Sequence, residues 1–240
     1  MRVAVISDVH GNALALDAVL ADITRHGVDA VLSLGDNVSG PVDPAGTAER
    51  LMALGGLSVR GNHDRWTVDP SLRGSGDIDA FARAQLNSTQ LDWLASLPAT
   101  AVHADVVFLC HGTPHDDEVP WLDNFYAGRT TTVPGEAQVA AQARGIDYPV
   151  LLCGHTHIPR SLRLLDGRLI VNPGAVGMQL VHGSPDARYA IVERRASGWH
   201  TSLLAVPYDH DEAARQAAAN GFPQWAQSLN NGWVGPESLF

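Results

Sequence analysis

The chain has 240 residues, a formal net charge of −10 and 45% hydrophobic residues. This apolar content excludes a wholly disordered chain and is enough for a sizeable core, so we expect a single domain over residues 1–240. All 16 basic residues are arginine, and the absence of lysine excludes Schiff-base catalysis and a Walker-type phosphate loop. The negative charge argues against non-specific binding to nucleic acid, which depends on basic contacts to phosphate.

The N-terminal apolar run, residues 3–6, is too short for the hydrophobic part of a signal peptide. No stretch approaches the roughly 20 apolar residues of a membrane span. Two cysteines make no disulfide framework, and we expect Cys110 and Cys153 to be small buried apolar side chains. We therefore expect a cytoplasmic protein that does not bind a membrane.

Strand and helix patterns alternate over the first half of the chain. The predicted elements there are a strand over 2–7, a helix capped by Asn12 and ending near 25, a strand over 30–34, a helix over 47–54 and a strand over 57–59. This alternation is typical of a layered α/β domain.

The second half is richer in strands. The predicted elements are helices near 78–86 and 90–96, strands over 100–103, 106–110 and 150–153, and hairpins over 161–171 and 188–206. Residues 112–135 are rich in Pro, Gly, Thr and acidic side chains, so we expect a long loop, which in a compact domain is often functional. Two packed sheets with helices outside them fit this order.

Histidines and acidic or amide side chains cluster directly after predicted strands. Five motifs carry them: Asp8-Val9-His10, Gly35-Asp36, Gly61-Asn62-His63-Asp64, His111-Gly112 and Gly154-His155-Thr156-His157. Because α/β folds place their sites at strand ends along one sheet edge, we expect these side chains to converge. In extended backbone, residues two apart point to the same side. Asp8 and His10 could then meet at one centre, as could His155 and His157.

Seven of these side chains are candidate metal ligands: Asp8, His10, Asp36, Asn62, His111, His155 and His157. One ion with about four to six ligands would not use them all, whereas two ions sharing a bridging carboxylate would, and Asp36 is the natural bridge. Mixed imidazole, carboxylate and amide oxygen suits Mn, Fe, Zn, Ni or Co. Two-metal sites typically catalyse phosphoryl transfer and other hydrolyses. Two divalent ions outweigh two carboxylates, so the site would attract an anionic phosphate.

His63 follows Asn62 directly and should not bind the same ion from the same direction. With an unperturbed pKa of about 6.5, a histidine at this place can protonate a leaving alkoxide. Each motif alone has an ordinary explanation, since Asp8 could cap a strand end, Asp36 could lie in a turn and His111 could be a hydrogen-bonded loop residue. The five motifs together, each behind an apolar strand, favour the metal site.

Two further groups of residues are left open. Arg65, Arg129 and Arg160 could each steer a phosphate. Trp225, Trp233 and Phe240 lie in a polar C-terminal stretch and could belong to the core or form the interface of a homo-oligomer.

At these motifs the sequence resembles the calcineurin-like metallophosphoesterase superfamily. DVH at 8–10, GDN at 35–37, GNHD at 61–64, HG at 111–112 and GHTH at 154–157 carry the resemblance, and NPGAVG at 172–177 extends it. GDNVSGPVDP and NPGAVG are similar to the small bacterial and archaeal phosphodiesterases known as YfcE-like proteins. Ser/Thr protein phosphatases carry Asp-Arg-Gly after Gly-Asp and Glu after Gly-Asn-His, and this chain has neither.

The resemblance implies a four-layer αββα sandwich of two mixed β-sheets flanked by helices, and a dimetal hydrolase. By motif match, Asp8, His10 and His157 would bind one ion, and Asn62, His111 and His155 would bind the other. Asp36 would bridge them, a bridging hydroxide would attack phosphorus, and His63 would assist the leaving group.

We therefore expect a metal-dependent phosphoester hydrolase with two divalent ions, manganese first among the candidates. The favoured activity is a phosphodiesterase acting on a small phosphodiester or nucleotide. A phosphomonoesterase or a dinucleoside polyphosphate hydrolase would use the same residues. A non-catalytic scaffold with the same fold is the alternative of another class, and the presence of His63 counts against it.

Overall fold

The structure is a computed structural model that describes residues 1–72, 74–126 and 130–233. Within these residues the strands are β1 (Arg2–Ile6), β2 (Ala30–Ser33), β3 (Leu57–Ser58), β4 (Ala101–His103), β5 (Val107–Leu109), β6 (Asn124–Tyr126), β7 (Thr130–Thr132), β8 (Val150–Leu152), β9 (Arg160–Arg163), β10 (Leu169–Asn172), β11 (Ala187–Arg195) and β12 (Gly198–Val206). The helices are α1 (Ala13–Thr24), α2 (Pro44–Leu54), α3 (Asn62–Val68), α4 (Asp77–Gln85), α5 (Ser88–Ser96), α6 (Glu136–Gln142), α7 (His210–Ala219) and α8 (Ala226–Asn231), with a 3-10 turn over Pro223–Trp225.

Ten of the strands form two mixed five-stranded sheets. The first has the order β12-β11-β1-β2-β3, in which β1, β2 and β3 are parallel. The second has the order β4-β5-β8-β10-β9, in which β5, β8 and β10 are parallel. Parallel neighbours end at the same edge of a sheet, and the loops that carry the candidate residues begin there.

The two sheets pack face to face, and helices cover their outer faces. Val5 and Leu32 of the first sheet share a buried cluster with Leu109 and Leu152 of the second. Burying each such side chain contributes about 1.5–3 kcal/mol. Helices α1 and α2 pack on the outside of the first sheet, and α6 packs on the outside of the second. The predicted four-layer αββα sandwich is therefore confirmed.

Most predicted elements are present with slightly shifted ends. Asn12 caps α1 as predicted, because its side-chain oxygen accepts a hydrogen bond from the Ala15 N–H at 3.1 Å. Helix α2 begins at Pro44 rather than at 47, since Asp43 caps it and a proline suits the first helical turn.

Several elements were not predicted. The segment 112–135 is only partly a loop, because β6 and β7 pair within it as a hairpin. Helix α3 is short and starts inside the Gly-Asn-His-Asp motif. Helix α7 buries only alanines on its apolar side, so its hydrophobic periodicity in the sequence is weak. None of the helices in the described part of the chain is both long and apolar enough to span a bilayer.

Candidate metal centre

Five loops at the ends of strands bring the predicted ligands together. The ligands are Asp8 and His10 after β1, Asp36 after β2, Asn62 after β3, His111 after β5, and His155 and His157 after β8. Two of the loops are joined directly, since the Asp8 N–H donates to the Gly35 carbonyl at 3.0 Å and the His10 N–H donates to the Asp36 carbonyl at 2.9 Å. The facing edges of both sheets thus form one site.

Two groups of side chains could each hold a metal ion, and Asp36 belongs to both. The first group is Asp8, His10, Asp36 and His157, and the second is Asp36, His111 and His155; within each, the possible ligand atoms lie within 4.8 Å of one another. His157 Nε2 lies 3.3 Å from Asp8 Oδ1, and His111 Nε2 lies 3.2 Å from Asp36 Oδ2. Asn62 is also buried, and it lines the same cavity as Asp36.

Backbone carbonyls determine which ring nitrogen of each histidine carries the hydrogen. Three Nδ1 atoms lie beside carbonyl oxygens to which they donate: His10 to Ser39 (2.6 Å), His111 to Leu34 (2.8 Å) and His157 to Met178 (2.9 Å). In the neutral rings, Nε2 then presents a lone pair to the group. His155 is reversed, because its Nε2 donates to the Glu118 carbonyl at 3.0 Å and leaves Nδ1 as the possible ligand atom.

The arrangement of the possible ligand atoms fits a bound cation. His10 Nε2 and His157 Nε2 are 3.2 Å apart, and their lone pairs repel unless a positive charge lies between them. Asp8 Oδ1 and Asn62 Oδ1 are buried without a hydrogen-bond partner among the described residues, which is costly for polar groups. A divalent cation held by imidazole, carboxylate and amide oxygen removes both penalties.

Burial and neighbouring charges set the protonation of the histidines. Burial lowers the pKa of His10 to about 4, aided by His157, and it lowers the pKa of His155 to about 4, aided by His111. Both rings are therefore neutral at pH 7 and can act as ligands. Burial opposes a charge on His111 too, but Asp36 outweighs it and raises the pKa of His111 to about 10. The space between His111 and Asp36 thus attracts a positive charge, which a metal ion could supply instead of a proton.

Five of the predicted ligands have left-handed backbone conformations. Their φ angles are 53° at Asp8, 46° at His10, 51° at Asp36, 66° at His155 and 59° at His157. This region costs an L-residue about 1–2 kcal/mol, and such strain concentrates at functional sites.

The backbone of Asp8-Val9-His10 and of His155-Thr156-His157 is therefore not extended, and that prediction is wrong. Asp8 and His10 do share one group. His155 and His157 belong to different groups, because the chain turns at each of them instead of alternating sides.

Two glycines allow the loops to approach this closely. Gly35 has a φ of +99°, and a Cβ there would lie 2.4 Å from the Gly61 nitrogen. A Cβ on Gly154 would lie 2.0 Å from Ser7 Oγ. Any larger residue at either position would push the loops apart.

His63 lies at the start of α3, and a buried carboxylate fixes the orientation of its ring. Its Nδ1 is 2.9 Å from Asp79 Oδ1, and its backbone N–H donates to Asp36 Oδ1 at 3.0 Å. Burial opposes a charge on the ring, but Asp36 and Asp79 outweigh it and raise the pKa of His63. Asp79 itself is buried on α4, where it also accepts hydrogen bonds from Ser39 Oγ at 2.6 Å and from the Gly76 N–H at 2.8 Å. The ring orientation is therefore fixed.

A cavity of about 600 Å³ lies over the two groups, a size typical of small-molecule sites. We call one part of the lining the polar wall; it consists of Asp36, Asn62, His63, His155 and His157. We call another part the aromatic wall; it consists of Trp66, Ile78, Phe222 and Trp225. Asp77 and Glu118 add carboxylates to the lining, and the described lining residues include no arginine.

Two of the three arginines predicted as possible phosphate ligands are engaged elsewhere. Arg65 pairs with Asp117 at 2.7 Å and with Glu118 at 2.8 Å. Arg160 Nε donates to the buried Asp123 at 2.6 Å. Arg129 lies outside the described residues. Neither Arg65 nor Arg160 lines the cavity.

A family model for the calcineurin-like phosphoesterase superfamily domain matches residues 1–197. The chain belongs to this superfamily. The membership predicted from the motifs is thus confirmed, and the match spans all seven predicted ligands and His63.

Related proteins are similar to this calcineurin-like phosphoesterase along almost its whole length. A metallophosphoesterase from Sphaerobacter thermophilus is 30% identical, with 97% of this chain and 99% of that chain covered and a TM-score of 0.78. The hypothetical protein PH1004 from Pyrococcus horikoshii OT3 also has a TM-score of 0.78, at 20% identity, with 98% and 99% covered. The uncharacterized protein MJ0912 of Methanocaldococcus jannaschii is 28% identical, with 93% of this chain and 94% of its own length covered.

Some residues of the site carry no motif that sequence reasoning could detect. In the sequence, Asp79 is an ordinary aspartate within a predicted helix, and only the structure shows that it contacts His63. Trp225 is in the core, 1% exposed, with its ring centre 6.4 Å from that of His10. Trp233 is 52% exposed, and Phe240 lies outside the described residues. Cys110 and Cys153 are buried as predicted, and burial raises the pKa of both thiols.

Proposed function

We propose that this calcineurin-like phosphoesterase is a metal-dependent phosphodiesterase that hydrolyses a small phosphodiester, such as a nucleotide. The observation that carries the proposal is the pair of ligand groups that share Asp36 beneath one cavity, with the His63–Asp79 pair beside them. In this proposal, Asp8, His10 and His157 would hold one divalent ion, Asn62, His111 and His155 would hold the other, and Asp36 would contribute to both.

Two bound ions would polarise the phosphoryl group and supply the nucleophile at neutral pH. Residues of the chain would supply the proton and hold the loops of the site in place. His63 donates a proton to the leaving oxygen through Nε2, since Nδ1 is engaged by Asp79. Asp64 accepts hydrogen bonds from the backbone and side-chain N–H groups of Asn37, both at 2.8 Å, and so holds the Asp36 loop against α3.

The size of the cavity supports a diester. Its volume of about 600 Å³ leaves room for substituents beyond the phosphate group, as a phosphodiester requires.

The test is a side-by-side assay of bis-p-nitrophenyl phosphate and p-nitrophenyl phosphate on chelator-stripped enzyme. We expect Mn²⁺ to restore activity, faster on the diester, with two ions bound per chain; Fe²⁺, Zn²⁺, Ni²⁺ and Co²⁺ serve as the comparison panel. A preference for the monoester would favour the phosphomonoesterase. Activity confined to dinucleoside polyphosphates would favour that hydrolase. A chain that binds no metal would overturn the proposal in favour of a scaffold.

A further inference from the structure

The aromatic wall is assembled from parts of the chain that are far apart. Trp66 lies on α3 and Ile78 on α4, whereas Phe222 and Trp225 follow α7. The family match ends at residue 197, so two of the four residues of this wall lie beyond it. The residues matched to the superfamily domain therefore supply the polar wall, and the segment after residue 197 supplies half of the aromatic wall.

This C-terminal segment is firmly attached beside the site. Asn220 Nδ2 donates to the Pro41 carbonyl at 2.8 Å and to the Val42 carbonyl at 3.0 Å, in the loop that follows Asp36. Trp225 packs in a buried cluster with Met178 and with the alanines of α7. Hydrogen bonds and buried packing thus join the segment to the loop that follows Asp36.

Two aromatic rings of the wall remain partly accessible. Phe222 is half-buried, and its ring packs edge-on against Phe81 of α4 at a centroid distance of 5.3 Å. Trp66 is also half-buried, with its ring 4.7 Å from that of His63. A flat ring bound in the cavity would meet aromatic surfaces next to the residue that handles the proton.

We infer that the aromatic wall binds a planar aromatic substituent of the substrate, so that the substrate class is a phosphodiester bearing a nucleobase or aryl group. This inference rests on the phosphodiesterase function proposed above. Aromatic side chains bind any base by stacking, which contributes about 5–150-fold in affinity per base. Gln224, exposed at the edge of the cavity, can offer an amide donor and acceptor to the edge of a base.

The test measures equilibrium binding, which needs no turnover. Calorimetric titrations on the Mn²⁺-loaded protein would compare adenosine 5′-monophosphate with methyl phosphate, which share the phosphate and differ in the nucleoside. We expect the nucleotide to bind about 5–150-fold more tightly. Phe222→Leu and Trp66→Leu keep an apolar side chain but remove the ring, so each should reduce this ratio while metal content and methyl phosphate affinity stay unchanged.

The matched control is Trp233→Leu, which removes an exposed tryptophan outside the cavity and should leave the ratio as it is. Equal binding of the two ligands by the unaltered protein would overturn the inference, as would a ratio that survives both ring deletions. If diesters are hydrolysed but the ratio is near one, the inference fails and the phosphodiesterase stands. If the ratio depends on Phe222 and Trp66 but no diester is hydrolysed, the aromatic subsite stands and the proposed function fails.

Discussion

The polar wall and the aromatic wall of the same cavity are built in different ways. Asp36, Asn62, His63 and His157 are all buried, and Asp36 and His157 lie in strained left-handed backbone. Trp66 and Phe222 are half-buried and come from helices and turns without such strain. Groups that converge on cations must be held rigidly and out of water, whereas a surface that receives an organic group must stay accessible. In the proposed function, the polar wall would serve the chemistry and the aromatic wall would select the substrate.

The largest effect is expected from Asp36→Asn, because Asp36 belongs to both ligand groups. We expect turnover to fall by more than about 10⁴-fold, beyond the largest loss that one general acid explains, together with loss of bound metal. The measurement is metal content by mass spectrometry beside diester turnover. Asp105→Asn is the control, since Asp105 is also an aspartate in left-handed backbone (φ 59°) but lies in the β4–β5 turn. If the Asp36→Asn variant still bound its full content of metal, the proposed bridging role of Asp36 would be wrong.

His63→Ala should leave metal content unchanged and lower kcat by about 10²–10⁴-fold on diesters with alkyl leaving groups. The loss should be smaller for p-nitrophenyl esters, since p-nitrophenolate leaves without a proton. The leaving-group dependence of kcat is the measurement. His103→Ala, on β4 and outside the cavity, is the control. An equal loss on both kinds of ester would argue against proton donation by His63.

Asp79→Asn tests whether Asp79, which belongs to no sequence motif, supports the function of His63 in the polar wall. Because Asp79 orients the ring of His63, we expect its loss to lower kcat rather than raise KM, by no more than the about 10²–10⁴-fold expected for His63→Ala. Because Asp79 would act through His63, the double variant Asp79→Asn/His63→Ala should be no slower than His63→Ala alone. Asp92→Asn on the exposed side of α5 is the control. Additive losses would mean that Asp79 acts independently of His63.

The smallest effect is expected from Thr156→Val, and it should be a loss of stability. Thr156 lies between His155 and His157, where its hydroxyl donates to Asp123 at 3.1 Å and accepts from Asn172 Nδ2 at 3.0 Å. Valine has the same shape but makes neither bond, so we expect about 1–3 kcal/mol lower unfolding free energy, measured by denaturant unfolding. Thr201→Val is the control, since the buried Thr201 hydroxyl has no hydrogen-bond partner among the described residues. If both variants lowered the unfolding free energy equally, the hydrogen bonds of the Thr156 hydroxyl would not be the cause of the loss.

The sequence predicted the layered fold because strand and helix periodicities are local properties of the chain. It did not predict α7, whose buried side is made of alanines, or the β6–β7 hairpin within a polar segment. These elements depend on tertiary packing more than on their own hydrophobic pattern. That residues 1–240 form one domain and that the protein forms a homo-oligomer both stay predictions.

The sequence by itself identified the side chains that we propose for the chemistry, because short motifs such as Gly-Asn-His-Asp and Gly-His-Thr-His place polar residues at strand ends. Only the tertiary structure decided which ligand group each joins, for example that His155 and His157 separate. It also decided which ring nitrogen faces the site, since carbonyls distant in the chain accept the other hydrogen. The pairing of Asp79 with His63 and the presence of Trp66 and Phe222 in one cavity likewise bring together segments that are separate in the sequence. Contacts of this kind depend on how the layers pack, and no local pattern encodes them.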